Sequence, residues 1–327
     1  MRIVVLGGTR FIGRALVEEL ASHGHELLIV HRGRHEPEDL PESPHLHAER
    51  AELPQRAHEL ARFRPDAIAD LAAMTAEDAD AALRAAPPGA RLLVASSMDV
   101  YRAFGSVWAN TVTDPLPLTE ESPLRSEPPA DREDFPDGWD VDPARYEKLD
   151  VERAYLARGA TVCRLPMVYG EHDYQRREEP LLRRLRAGRP RIPVGAGAWL
   201  WSRGYVRDVA AGMRLALVNG NAAGEIFNLC EPTCAPMRLW LEQILDAAGV
   251  DAELVRVPDE SLPADLAITG TILQHLLVDA GKARRLLGWE HRPVDEAVAR
   301  SVRWHLDNPP DKSDTNFSAD DRALALD

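Results

Sequence analysis

The feature that most constrains this chain lies at its start, where the apolar run Arg2-Ile3-Val4-Val5-Leu6 passes directly into Gly7-Gly8-Thr9-Arg10-Phe11-Ile12-Gly13. Beyond the first glycines, Phe11, Ile12, Ala15, Leu16 and Leu20 recur at the spacing of one helix face. A strand that turns at once into a helix leaves no room for side chains in the turn, and glycine lets backbone approach backbone or ligand closely. The unpaired amides and dipole of the first helical turn favour an anion there. Strand, glycine turn and helix together predict a pyrophosphate site formed by Gly7, Thr9, Arg10, Phe11, Ile12 and Gly13.

The first half of the chain continues the same alternation. Strands are expected over 2–6, 25–30, 66–71, 91–96 and 160–165, with helical patterns between them, which is the pattern of a doubly wound parallel α/β sheet of the Rossmann type. The expected organisation is a dinucleotide-binding domain over residues 1–170, to which 204–230 return. A smaller C-terminal substrate lobe takes 171–203 and 231–310. The Pro- and acid-rich stretch 113–143 reads as a long binding loop. The polar tail, 311–327, is expected to be frayed or draped over the surface.

At 327 residues and 45% hydrophobic, the chain can bury a full core. No apolar run approaches the ~18 residues needed to span a bilayer, and no leader pattern precedes the first strand, so a soluble, cytoplasmic protein is expected. A net charge of −14 argues against a nucleic-acid partner, because neutralising phosphates supplies most non-specific affinity. The expected partner is a small-molecule substrate, and a homodimer is allowed. Cys163, Cys230 and Cys234 do not form a disulfide framework, and His23, His25, His45 and His47 read as solvated edges, so no metal site is expected.

The residue that ends the second strand selects the nucleotide: a carboxylate there accepts from ribose hydroxyls, whereas a basic side chain accommodates a 2′-phosphate. This chain carries His31-Arg32-Gly33-Arg34 and no carboxylate. NADP is therefore expected, with Arg32 as the phosphate partner, and NAD is the alternative.

An ordered series of motifs resembles the extended short-chain dehydrogenase/reductase superfamily, the group of NAD-dependent epimerases and dehydratases. Gly7 to Gly13 is similar to its glycine motif, Leu71-Ala72-Ala73 to its strand-4 motif, and Ser96-Ser97-Met98-Asp99-Val100-Tyr101 to its serine motif. Tyr146, Arg164-Leu165-Pro166-Met167-Val168-Tyr169-Gly170 and Ala283-Arg284-Arg285-Leu286-Leu287-Gly288-Trp289 continue the series to about residue 310. The resemblance implies that Leu71, Ala72, Ala73 and Pro166 line the cofactor. It also implies that Ser97 hydrogen-bonds the reacting oxygen and that Tyr146 acts as acid/base.

The resemblance breaks at one position. Family members place a lysine one helical turn after the tyrosine, where it lowers the phenol pKa; here that position is Asp150. On one continuous helix, Lys148 would point roughly 200° away from Tyr146. An acidic neighbour disfavours phenolate, so Ser97, Tyr146, Asp150 and Asp99 form the expected catalytic set. Asp99 stands where dehydratases of the family carry an acid, although Met98 occupies the position of their general acid.

On the substrate side, Trp201 and Arg203 fall near the family's anion-binding arginine, and His172 and Arg176 follow the Tyr169-Gly170 turn expected at the cleft. The leading expectation is an atypical NAD(P)-dependent oxidoreductase or epimerase acting on a sugar-like or polyhydroxylated small substrate. Two alternatives stay open. One is a dehydratase-type lyase using Asp99. The other is a non-catalytic NADP-binding protein, regulatory or RNA-associated, similar to the chloroplast stem-loop-binding members, which share the Gly-Gly-Thr-Arg-Phe start.

Overall fold

The computed structural model describes residues 1–127 and 142–326; part of the expected 113–143 loop therefore lies outside the described residues. Among the described residues eleven strands occur in chain order: β1 (Arg2–Leu6), β2 (Glu26–His31), β3 (His45–His47), β4 (Ala67–Asp70), β5 (Arg91–Ser97), β6 (Thr161–Leu165), β7 (Met167–Tyr169), β8 (Arg191–Val194), β9 (Arg203–Tyr205), β10 (Ile226–Asn228) and β11 (Glu253–Arg256). The helices are α1 (Phe11–Ser22), α2 (Ala57–Phe63), α3 (Ala76–Ala85), α4 (Arg102–Trp108), α5 (Lys148–Leu156), α6 (Glu179–Arg186), α7 (Val206–Val218), α8 (Met237–Ala248), α9 (Gly281–Leu287), α10 (Val294–Asp307) and α11 (Ser318–Leu324).

Seven strands form one parallel sheet in the order β10-β6-β5-β4-β1-β2-β3. These strands are nearly continuous apolar runs, as burial of both faces requires. Helices α1 and α7 cover one face, burying Leu16, Leu20, Val209 and Met213 against Ile3, Val5 and Ile29. Helices α2, α3 and α5 cover the other, where Leu60, Leu83, Val151 and Tyr155 pack on Val4, Leu6 and Val94. Strand order reverses at β1, between β2 and β4, and in open sheets the crevice beyond the carboxyl ends at such a point is where ligands bind. The expected doubly wound parallel fold is the observed one.

Beyond Leu165 the chain builds two small parallel pairs, β7 with β9 and β8 with β11, packed with α6, α8 and α10. The core is continuous from the α1–α7 face into this region, through Val168, Tyr205, Trp240 and Val302. The tail departs from expectation. It carries α11, whose Asp320 is buried and accepts from the buried Arg184 guanidinium at 2.6 Å, while Ala323 packs against Val255 and Val257. Polar composition hid a small apolar cluster and the ion pairs of Asp320 and Asp321 with Arg184 and Arg189, which dock this seven-residue helix. Among the described residues no helix is long and apolar enough to cross a membrane.

Candidate functional site

The glycine turn is as tight as its sequence demands. Gly7 has φ +87°, and a Cβ on Gly13 would stand 2.0 Å from the Gly7 carbonyl oxygen, so α1 starts directly against the end of β1. The N-cap residue Arg10 makes no side-chain capping bond and no acid occupies the first turn of α1, so among the described residues its leading amides are open to a ligand. Thr9 is buried, Ile12 packs partly on the core, and Arg10 and Phe11 reach Tyr174, the guanidinium 5.4 Å above the ring and Phe11 edge-on at 6.2 Å. A crevice of about 670 Å³ opens here, lined by Gly7, Thr9, Arg10, Arg32, Leu71 and Ala72 among others.

The Leu71-Ala72-Ala73 wall is held from beneath. Asp70, wholly buried at the end of β4, accepts from the amides of Ala72 at 3.0 Å and Ala73 at 3.1 Å. Its carboxylate pairs with the Arg50 guanidinium and accepts the Tyr155 hydroxyl. The Arg50 charge holds Asp70 below the usual carboxylate range despite the burial that opposes this. Pro166, half-buried, joins β6 to β7.

Where β5 ends, the chain enters a single 3₁₀ turn, Met98–Val100, capped by Ser97, whose hydroxyl accepts from the Asp99 amide at 3.2 Å. Asp99 is buried, and the Tyr146 hydroxyl donates to its Oδ2 at 2.6 Å. Ser97 lies against the same phenol, and the Arg125 guanidinium donates to the Asp99 carbonyl at 3.0 Å. Burial pushes the phenol well above its ordinary value, and the Asp99 charge and hydrogen bond push it further; the Ser97 contact only partly offsets them. Burial raises Asp99 too, against the hydrogen bond from Tyr146. Among the described residues Asp99 Oδ1 has no hydrogen-bond partner.

The expected place of Asp150 is corrected. Tyr146 is not on a helix with it: Tyr146 is extended, at φ −64° and ψ 119°, and Glu147 is the N-cap of α5, accepting from the Leu149 amide at 2.9 Å. The phase of α5 therefore starts anew at Lys148. Asp150 faces outward and pairs with Arg153 at 2.7 Å, whereas Lys148 is buried and donates to the carbonyls of Ala73 at 2.6 Å and Ala95 at 3.1 Å. Lys148 thus ties the β4 exit to β5 below the crevice, and burial lowers its ammonium to about 8, against the opposing charges of Asp99 and Asp70. The acid that disfavours phenolate is Asp99, not Asp150.

The expected substrate residues separate into two groups. Trp201 packs on the buried Trp199 with ring centroids 5.0 Å apart, and Arg203, buried in β9, stacks over Trp240 at 4.5 Å. The Arg203 guanidinium donates to the Ala235 carbonyl and the Met237 sulfur, and among the described residues no carboxylate pairs with it. His172 and Arg176 are instead held by the C-terminal region. The His172 ring lies 4.6 Å from Trp304, and Arg176 donates to the Asn308 carbonyl.

Sequence reasoning turned Lys148 away from the site and missed Arg125 and the Asp70–Arg50 pair. The only local signal for Lys148 was Glu147 as an N-cap, a residue type that caps less often than Asp or Ser. It also missed that His31, Glu36, His45 and His47 converge, which revises the solvated-edge reading of His45 and His47.

Comparison with known proteins agrees with this architecture. The chloroplast stem-loop binding protein of 41 kDa b from Arabidopsis thaliana is 26% identical, over 99% of this chain and 84% of its own length. The 2′-dehydrokanamycin reductase of Streptomyces kanamyceticus is 28% identical over 80% of this chain and 70% of its own. Among solved structures, dTDP-glucose 4,6-dehydratase from Bacillus anthracis in complex with NAD superposes with a TM-score of 0.70 at 18% identity, covering 94% of this chain and 97% of the other. Residues 3–106 and 148–230, which carry the glycine turn, the Ser97–Asp99 segment and Lys148, match the model of the NAD dependent epimerase/dehydratase family, and the chain belongs to that family.

Proposed function

We propose that this chain is an NADP-type reductase, with NAD as the alternative cofactor, that reduces a carbonyl on a sugar-like or polyhydroxylated small molecule. The crevice suits such a group: a close backbone turn, an uncapped helix start, and Arg32 at the end of β2 where a 2′-phosphate would lie. The dinucleotide would supply the hydride.

The chain's own residues supply the proton, and the observation that carries the reading is the Tyr146–Asp99 hydrogen bond beside Ser97. A phenol kept protonated donates to the oxygen of a carbonyl as hydride reaches its carbon, while Ser97 hydrogen-bonds the same oxygen. The phenolate left behind takes a proton back from solvent by way of Asp99, whose affinity for a proton burial raises. In the reverse direction the proton runs from a substrate hydroxyl through Tyr146 to Asp99. Two relatives named as reductases, the dehydrokanamycin enzyme and a 3-diazoavenalumate denitrifying reductase at 29% identity, support reduction as the direction.

The test is nicotinamide fluorescence titration with NADPH and NADH, followed by NADPH consumption against a panel of keto-sugars and keto-aminoglycosides. Tighter NADPH binding, weakened by Arg32→Ala, and consumption with at least one ketone are expected. Tight binding without consumption by any ketone would favour a second reading, an RNA-associated dinucleotide-binding protein, which the stem-loop-binding relative supports and the charge of −14 opposes. Salt-dependent retention of a stem-loop RNA would identify it.

A further inference from the structure

Four side chains outside the glycine turn and the phenol site meet at the edge of the sheet. His31 ends β2, His45 and His47 lie on β3, and Glu36 comes from the connection between these strands. Parallel pairing sets His31 beside His47, and the two-residue period of a strand puts His45 and His47 on one face. His31 Nε2 is 2.8 Å from His45 Nδ1 and 3.6 Å from the Glu36 carboxylate. His45 Nδ1 is 3.4 Å from that carboxylate, and His47 Nε2 is 2.8 Å from it. One ligand atom from each residue lies within 4.8 Å of all the others.

We propose that His31, Glu36, His45 and His47 bind one divalent transition-metal ion, with zinc the ion that their chemistry fits best. Metal–ligand distances of about 2.0–2.1 Å in a tetrahedron place the ligand atoms about 3.3–3.4 Å apart, in the middle of the observed separations. Three neutral imidazoles and one carboxylate match a borderline-soft ion, and the all-oxygen preference of calcium or magnesium excludes those. Four protein ligands close the coordination sphere, so the role is to clamp the β2–β3 connection to the sheet. His35, although nearby in sequence, is not among the four.

The hydrogen accounting gives the proposal a distinctive signature. Without metal, the Gly33 amide donates to His31 Nδ1 at 3.1 Å, so neutral His31 carries its hydrogen on Nε2. Metal at Nε2 moves that hydrogen to Nδ1, and the Gly33 contact must then open. Gly33 is exposed with φ +74°, in a turn whose glycine tolerates reorientation, and this turn carries Arg32 and Arg34 along the crevice.

The test uses the full, tag-free chain stripped of metal and titrated with zinc chloride against a chromophoric chelator. One equivalent is expected to bind, and His45→Ala with His47→Ala is expected to weaken it at least about tenfold. His58→Ala, an exposed histidine outside the group, is expected to change nothing. Glu36→Gln, at an exposed side chain, gives the same readout should the double variant fail to fold. Nitrogen-15 spectra are expected to show the His31 hydrogen moving from Nε2 to Nδ1 on loading. Absence of binding, or equal affinity in the wild type and the His45/His47 or Glu36 variants, would overturn the site. A loaded protein whose His31 keeps its hydrogen on Nε2 would overturn the four-ligand set. None of these outcomes depends on nucleotide binding or turnover.

Discussion

The phenol of Tyr146 gives its hydrogen to Asp99 at 2.6 Å, and the two residues come from segments 47 positions apart that only the sheet and its flanking turn bring together. Both groups are buried, and burial raises both; the Asp99 charge and hydrogen bond raise the phenol further, whereas the hydrogen bond from Tyr146 acts on Asp99 in the opposite sense. The phenol so placed keeps its proton at neutral pH, which suits a site that delivers a proton to a substrate oxygen.

Tyr146→Phe removes the donor and leaves Asp99 buried with neither side-chain oxygen bonded among the described residues. Carbonyl reduction is expected to fall by about 10²-fold or more, the scale of a lost proton donor. Stability is expected to drop by about 1–3 kcal/mol near neutral pH, the cost of an unsatisfied buried acceptor. Steady-state kinetics and urea unfolding check the two effects separately.

Lys148 makes stability depend on alkaline pH. Its ammonium titrates at about 8 in the fold, against 10.5 ordinarily, so the unfolded chain holds the proton more tightly between these values. Stability attributable to this residue therefore rises as pH goes from about 8 to 10.5, and the burial penalty is fully present below that window. The full swing is of order 3 kcal/mol. Unfolding free energies of the wild type minus Lys148→Met, followed across this range, are expected to increase with pH.

Asp150 provides the contrast. Its carboxylate faces outward and pairs with Arg153, an exposed contact worth about 0–1 kcal/mol. Asp150→Lys and Asp150→Ala are expected to leave kcat/KM within about twofold, as surface substitutions away from the site do. Loss of activity on Asp150→Ala would return the residue to the catalytic set.

Asp70 anchors the wall of the crevice through two backbone amides and a buried ion pair. Asp70→Ala strands the Arg50 charge and frees the Ala72 and Ala73 amides. A loss of about 3–5 kcal/mol is expected, as for breaking other buried pairs. Denaturant midpoints measured with and without NADPH are expected to show that the nucleotide stabilises this variant less than the wild type.

Much of this was legible along the chain because local patterns set it. The Gly7–Gly13 turn, the central strands and the helix Val206–Val218 follow from apolar runs, helical spacing and glycine positions. The strand His45–His47 was invisible, since three residues with one apolar side chain carry no periodic signal. The pairs β7–β9 and β8–β11 join segments far apart in sequence, and their residues fit loops equally well. At the candidate site, Ser97, Asp99 and Tyr146, which the fold brings together, were singled out by their resemblance to family motifs. The directions of Lys148 and Asp150 were reversed because the helix restarts at Glu147, and helical spacing across a cap has no meaning.

The most direct measurement is the ionisation of Tyr146, read as the ultraviolet difference titration of wild type minus Tyr146→Phe, without nucleotide or substrate. A neutral phenol bound to Asp99 predicts no phenolate signal from Tyr146 up to pH 10, and Asp99→Asn is expected to bring the ionisation down. A Tyr146 phenolate appearing near neutral pH in the wild type would contradict the account.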